Sequence, residues 1–227
     1  MEDTSLARSK LEDILEHKES LVEEIRKSIL GREPYSQLHI SLSAVNMGLE
    51  ELKGTELFDD YVKGYELMSK IFSYLVGVHS DLLFYQTGDV VNLKVKLMGS
   101  DNEKDREVVR EVDKGLDTVK EYFIEEVKPK IEEWCSYLFD ENRIPYLEAL
   151  IEKREDLADP FIRSVIYTDR ILASLASDAT YTYILAEDKV RKLFERFKEG
   201  VKKFNERLDA LLSKFEPKES SDDTMYR

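Results

Sequence analysis

The sequence predicts an all-α protein, an antiparallel bundle of six to eight long helices. Three observations carry that expectation. Apolar residues recur at spacings of three and four along nearly the whole chain, which is the period of one helix face. Gly31, Pro34, Gly54, Pro145 and Pro160 fall between the periodic runs, where helices stop and start. Strand-like alternation is confined to residues 90–97. The links are short, so successive helices must double back, and no solenoid repeat is visible.

Taken in order, Leu11, Leu15, Lys18, Val22, Ile25 and Ile29 predict one long helix over residues 5–30, ended by Gly31. Leu38, Leu42, Val45, Leu49 and Leu52 predict a second, stopped at Gly54. A third starts near Thr55, with Phe58, Tyr61, Tyr65, Met68, Phe72, Leu75, His79 and Leu82 on its stripe. Over 90–97, Val90, Leu93 and Leu97 fit a helix, and a lone strand would have no partner. Ser100 and Glu103 read as a capping box. Val112, Leu116, Val119 and Phe123 begin the next helix, which Pro129 should kink or restart. Pro145 opens a helix to about Leu157, and Pro160 opens another. Phe197, Val201, Phe204, Leu208, Leu211 and Phe215 mark a long final helix. Residues 1–216 are therefore expected to form one bundle domain, and 217–227 a disordered polar tail.

Composition narrows the function. A net charge of −14 over 227 residues argues against broad, nonspecific nucleic-acid binding, though a local basic patch remains compatible. No apolar run reaches the ~18 residues of a membrane span, and the charged N-terminus lacks a signal segment, so a cytoplasmic protein is expected. The single cysteine, Cys135, excludes an internal disulfide and a cysteine-rich zinc site. Abundant charge beside two Gln and five Asn leans toward a thermophile.

Several residues invite a chemical reading. Asp169 falls in a gap of the stripe Ile162, Val165, Leu172 and Ala176, on the face expected to be buried. A buried aspartate must pair, ligate a metal or take up a proton. Arg163 or Arg170 could pair with it, or the stripe lies one position away and Asp169 is exposed. Glu121 and Glu125 share a helix face, where a hard cation such as Mg²⁺ would relieve their repulsion; a solvated acidic face is the alternative. Lys189, Arg191, Lys192, Arg196, Lys198, Lys202 and Lys203 are the densest cationic cluster, able to contact phosphates or to balance nearby glutamates. His79 reads as a hydrogen-bonded core residue. Arg32 and His39 resemble the R-x(4–6)-H signature of the HEPN ribonucleases, although Glu33 stands where that family has another polar residue.

"FIRSVIYTDRILASLASDA", followed by "DKVRKLFERFKEGVKKFNERLDALL", resembles the C-terminal half of the translin and translin-associated factor X family. Tyr167 and Asp169 match its Tyr-Asp step, with Thr168 between them, and Arg191, Lys192 and Leu193 match the start of its last helix. "GLDTVKEYFIEEV" looks like its "LQEYVEA" helix, though Glu121 and Glu125 stand four apart rather than three. The resemblance implies an all-helical protomer that self-associates into a shell and binds RNA or single-stranded DNA. It further implies Mg²⁺-dependent RNA cleavage by Glu121, Glu125 and Asp169. The rival expectation is a helical adaptor that docks a protein partner on its heptad seams.

Overall fold

The computed structural model describes residues 4–177 and 181–215, and every regular element among them is helical. The chain runs through α1 (Thr4–Glu16), α2 (Lys18–Leu30), α3 (Tyr35–Leu52), α4 (Phe58–Tyr85), α5 (Gly88–Leu97) and α6 (Glu103–Tyr122). A π-turn (Phe123–Val127) leads into α7 (Lys128–Leu138), followed by α8 (Arg143–Ser177), α9 (Thr182–Leu185) and α10 (Asp188–Phe215). The expected long-helix bundle is therefore what the chain forms, and residues 90–97 belong to a helix. No helix among the described residues is long and apolar enough to cross a membrane. The tail expected at 217–227 lies outside the described residues.

Three boundaries differ from expectation, each for a local reason. The first helix breaks at His17, whose backbone sits at φ −96° and ψ 13°. The break lets the two halves serve different partners: α1 packs on α5 and α6, and α2 on α4 and α3. The start of α6 is capped by Asn102, whose side chain accepts from the Lys104 amide at 3.0 Å, rather than by the Ser100–Glu103 box. Ser100 instead donates to Asp105 at 2.6 Å. At Pro129 the helix restarts as expected, with the proline in the first turn of α7. The backbone widens into the π-turn immediately before it, and the Lys128 amide bonds back to the Phe123 carbonyl.

The break anticipated near Leu157–Pro160 comes earlier, at Arg154 (φ −152°, ψ 69°). Its guanidinium bridges Glu51 of α3 and Asp156. Gly54, with φ +83°, ends α3 in the left-handed conformation that favours glycine.

One hydrophobic cluster takes buried side chains from every helix, from Leu11 of α1 to Leu211 of α10. Within it α8 packs closely on α3 and α4. A Cβ on Gly48 would lie 2.7 Å from Leu157, and one on Gly64 would lie 2.6 Å from Phe161. Trp134, Tyr61 and Phe161 fill the space around that approach and are fully buried. The α10 stripe, from Val190 through Leu193, Phe197, Val201, Phe204 and Leu208 to Leu211, is buried within the chain. The strongest heptad seam is thus used internally.

Candidate functional site

The C-terminal half of α8 buries Phe161, Ser164, Val165, Thr168, Ile171, Leu172 and Leu175. This is a regular three–four stripe that keeps the expected Val165 and Leu172 but runs through Phe161, Thr168 and Leu175 rather than Ile162, Asp169 and Ala176. Thr168 takes the buried slot, and its hydroxyl donates to the Ser164 carbonyl at 2.8 Å. Ser164 does the same to the Pro160 carbonyl at 2.7 Å. Asp169 is thereby turned to the edge of the stripe and is half-buried.

Its position faces a cleft of about 490 Å³ between α8 and α10. Leu172, Ala173 and Ala176 form the α8 wall, with Leu185, Phe194 and Phe197 opposite. The two alanines leave that wall short, which is why the helices do not close on each other there. Charged groups line the same space in balance: Asp169 and Glu195 against Arg191 and Lys198. Among the described residues, Asp169 makes no hydrogen bond and no ion pair. Burial raises its pKa above the ordinary carboxylate value, and the charges of Lys198 and Arg170 oppose that rise only in part. Arg170 itself lies over the Tyr167 ring, 5.3 Å from its centroid, so it stabilises a neighbouring aromatic face rather than pairing with the carboxylate.

All seven cations predicted to form one patch are exposed on α10. They are parted by the buried stripe. Arg191 and Lys198 line the cleft with α8, whereas Arg196 and Lys203 face hollows beside Phe139 and Asp140 next to α7. Arg191 and Lys192 are engaged by Asp188, and Lys203 pairs with Glu199 at 2.7 Å. Lys189 and Lys202 are exposed and form no ion pair among the described residues.

Glu121 and Glu125 are exposed, Glu121 on α6 and Glu125 within the π-turn. No group of three His, Cys, Asp or Glu side chains among the described residues could hold a metal ion. Glu121, Glu125 and Asp169 thus form no such group.

Arg32 and His39 are both exposed, and no bond joins them among the described residues. The His39 ring instead stacks on Phe72 at 6.1 Å. His79 is a core residue as expected: its Nδ1 lies 2.7 Å from the buried Tyr35 hydroxyl, and Tyr181 meets its ring edge-on. The Cys135 thiol is pushed up to about 12 by burial, which leaves it unreactive near neutral pH.

The apolar wall of Ala173, Ala176, Leu185 and Phe194 was not anticipated. Two alanines three apart, flanking a helix whose other face is bulky, were its one signal in the sequence. The chain matches no protein-family model, no curated protein and no solved structure.

Proposed function

We propose that this helical-bundle protein is a binding module that seats an apolar side chain of an amphipathic partner helix in the α8–α10 cleft. One observation carries the reading. The cleft has apolar walls, and its charged groups balance as two acids and two bases. A helix laid along such a groove buries an anchor residue and pairs its own mixed charges at the rim. A polyanion meets no net attraction there, and the whole chain carries −14.

The nucleic-acid reading implied by the translin resemblance keeps one observation in its favour. Within α10, nine basic side chains outnumber five acidic ones. RNA or single-stranded DNA would then track the helix rather than enter the cleft, and its affinity would fall steeply with salt.

Fluorescence anisotropy with two probes separates the readings. One probe is a labelled amphipathic helical peptide with leucine anchors and alternating Glu and Lys. The other is a labelled single-stranded oligonucleotide. The cleft reading expects saturable peptide binding that Ala173→Trp weakens by about tenfold or more. Oligonucleotide binding that is lost in Lys202→Glu and untouched by Ala173→Trp would replace it with the nucleic-acid reading.

A further inference from the structure

A lysine stands where the first apolar stripe calls for a hydrophobic residue. Lys18 sits between Leu15 and Val22 in that run, and a cation on such a face is costly unless it is paired. The fold supplies the partner. Lys18 Nζ lies 2.9 Å from Asp81 of α4, with both side chains 32% exposed. The ammonium also rests over the Tyr85 ring, 4.9 Å from its centroid. Burial opposes the charge, but hydrogen bonds to Asp81 and Tyr85 hold the Lys18 pKa above the ordinary lysine value. Lys18 and Asp81 therefore join α2 to α4 through an ion pair.

This pair lines a cavity of about 420 Å³, away from the α8–α10 cleft. Gly77 and Val78 of α4 form one wall, and Val119 and Tyr122 of α6 the other. Two glycines shape it. A Cβ on Gly77 would meet nothing within 4 Å, so that wall is open. A Cβ on Gly115 would overlap the Tyr85 hydroxyl, so glycine there lets the Tyr85 ring lie against the α6 backbone. Tyr122 is 40% exposed, leaving aromatic surface within reach of a bound ring.

A carboxylate has about four acceptor sites and an ammonium three donors; their mutual contact occupies one of each, and Tyr85 takes a second ammonium donor. What remains is a hydrogen-bond acceptor beside a donor, next to an apolar, partly aromatic slot. The pair's net charge is zero, which offers nothing to a phosphate.

We propose that this slot binds a small aminated nitrogen heterocycle, the chemistry shared by adenine and cytosine. The exocyclic amine donates to Asp81, the adjacent ring nitrogen accepts from Lys18, and the ring lies between Gly77 and Val119.

Isothermal titration calorimetry of the full chain with adenine, and with unsubstituted purine, tests this. Purine has the same ring area but no exocyclic amine for Asp81. The slot should bind adenine saturably and at least about tenfold more tightly than purine, the discrimination of one hydrogen bond to a charged group. Gly77→Phe should fill the cavity and weaken adenine binding by about tenfold or more, whereas Gly77→Ala should retain it. Should Gly77→Phe fail to give the wild-type circular dichroism spectrum, Thr118→Trp narrows the cavity from α6 and must weaken adenine binding in the same way. Absence of saturable adenine binding, equal affinity for purine, or binding unchanged by the filling substitution that folds would overturn the proposal.

Discussion

Two aspartates divide the molecule. Asp105, in the first turn of α6, has no exposed surface and accepts from Thr4 at 2.6 Å, Ser100 at 2.6 Å and Arg8 at 2.8 Å. Asp169, beside the α8–α10 cleft, is half-buried and accepts from no described residue. The hydrogen bonds from Ser100 and Thr4, with the Arg8 cation, hold the Asp105 pKa below the ordinary aspartate value against the effect of burial. Burial pushes Asp169 the other way. The same side chain is a structural tie where donors converge on it, and an unsatisfied acceptor where they do not. The first joins α1 to the α5–α6 link and α6, and it has little capacity left for a ligand. The second retains that capacity.

Breaking the tie should give the largest effect. Asp105→Ala leaves Arg8 without its buried partner and two hydroxyls without an acceptor. Thermal melts followed by circular dichroism should show a midpoint lower by about 10 °C, the consequence of stranding one member of a buried ion pair in a chain of this size. A midpoint within about 2 °C of wild type would mean that α1 is held by its apolar contacts alone.

The same contrast appears in steric terms along α8. Its junction with α4 is closed, and Gly64→Ala would drive a methyl group into Phe161. Overpacking of that kind costs about 1–3 kcal/mol, measurable by urea denaturation. At the cleft end, Ala173 is exposed and the neighbouring space is open. Ala173→Trp should change stability by no more than about 0.5 kcal/mol while blocking the peptide described above. A Gly64→Ala protein as stable as wild type would show that Phe161 can move aside, and the two ends of α8 would then differ less than their geometry implies.

The helices were legible in the sequence because a 3.6-residue period survives without knowledge of the partners. The residue-level register of α8 was not. Ser164 and Thr168 count as polar when read in one dimension, yet each satisfies its hydroxyl on the carbonyl four residues back and then packs as a core residue. Treating them as polar draws the stripe through Ile162 and Ala176 and places Asp169 in the core. The break at His17 was hidden for a different reason. The stripe from Leu11 to Ile29 is continuous, and only the separate placement of α5 and α4 requires its two halves to diverge. The cleft depends on residues 169–176 meeting 185–198, a long-range pairing that neither local propensity nor spacing encodes. The seven cations were visible, but their division by the α10 stripe required knowing which face was buried.

Protonation separates the two aspartates by sign, and the smallest predicted effect is also the most diagnostic. Asp105 has a lowered folded pKa, so its contribution is complete above the unfolded value of about 3.9 and is lost as pH falls through the folded value. Asp169 has a raised folded pKa. Its protonated form is the one the fold prefers, so the wild type is relieved below about pH 3.9 and penalised as pH rises through the folded value. Asp169→Asn removes that penalty with little change of shape. At pH 7 the variant should melt about 2 °C above wild type, and the difference should shrink as pH falls and vanish below about pH 3.9. Such a profile also separates a paired and an exposed Asp169. A carboxylate paired with a buried arginine would make Asp169→Asn strongly destabilising at pH 7, because the cation would be left alone. A fully exposed carboxylate would give no difference at any pH. Only an unsatisfied, half-buried carboxylate gives a gain at neutral pH that fades in acid, and that is the state in which Asp169 can accept a donor from a bound partner.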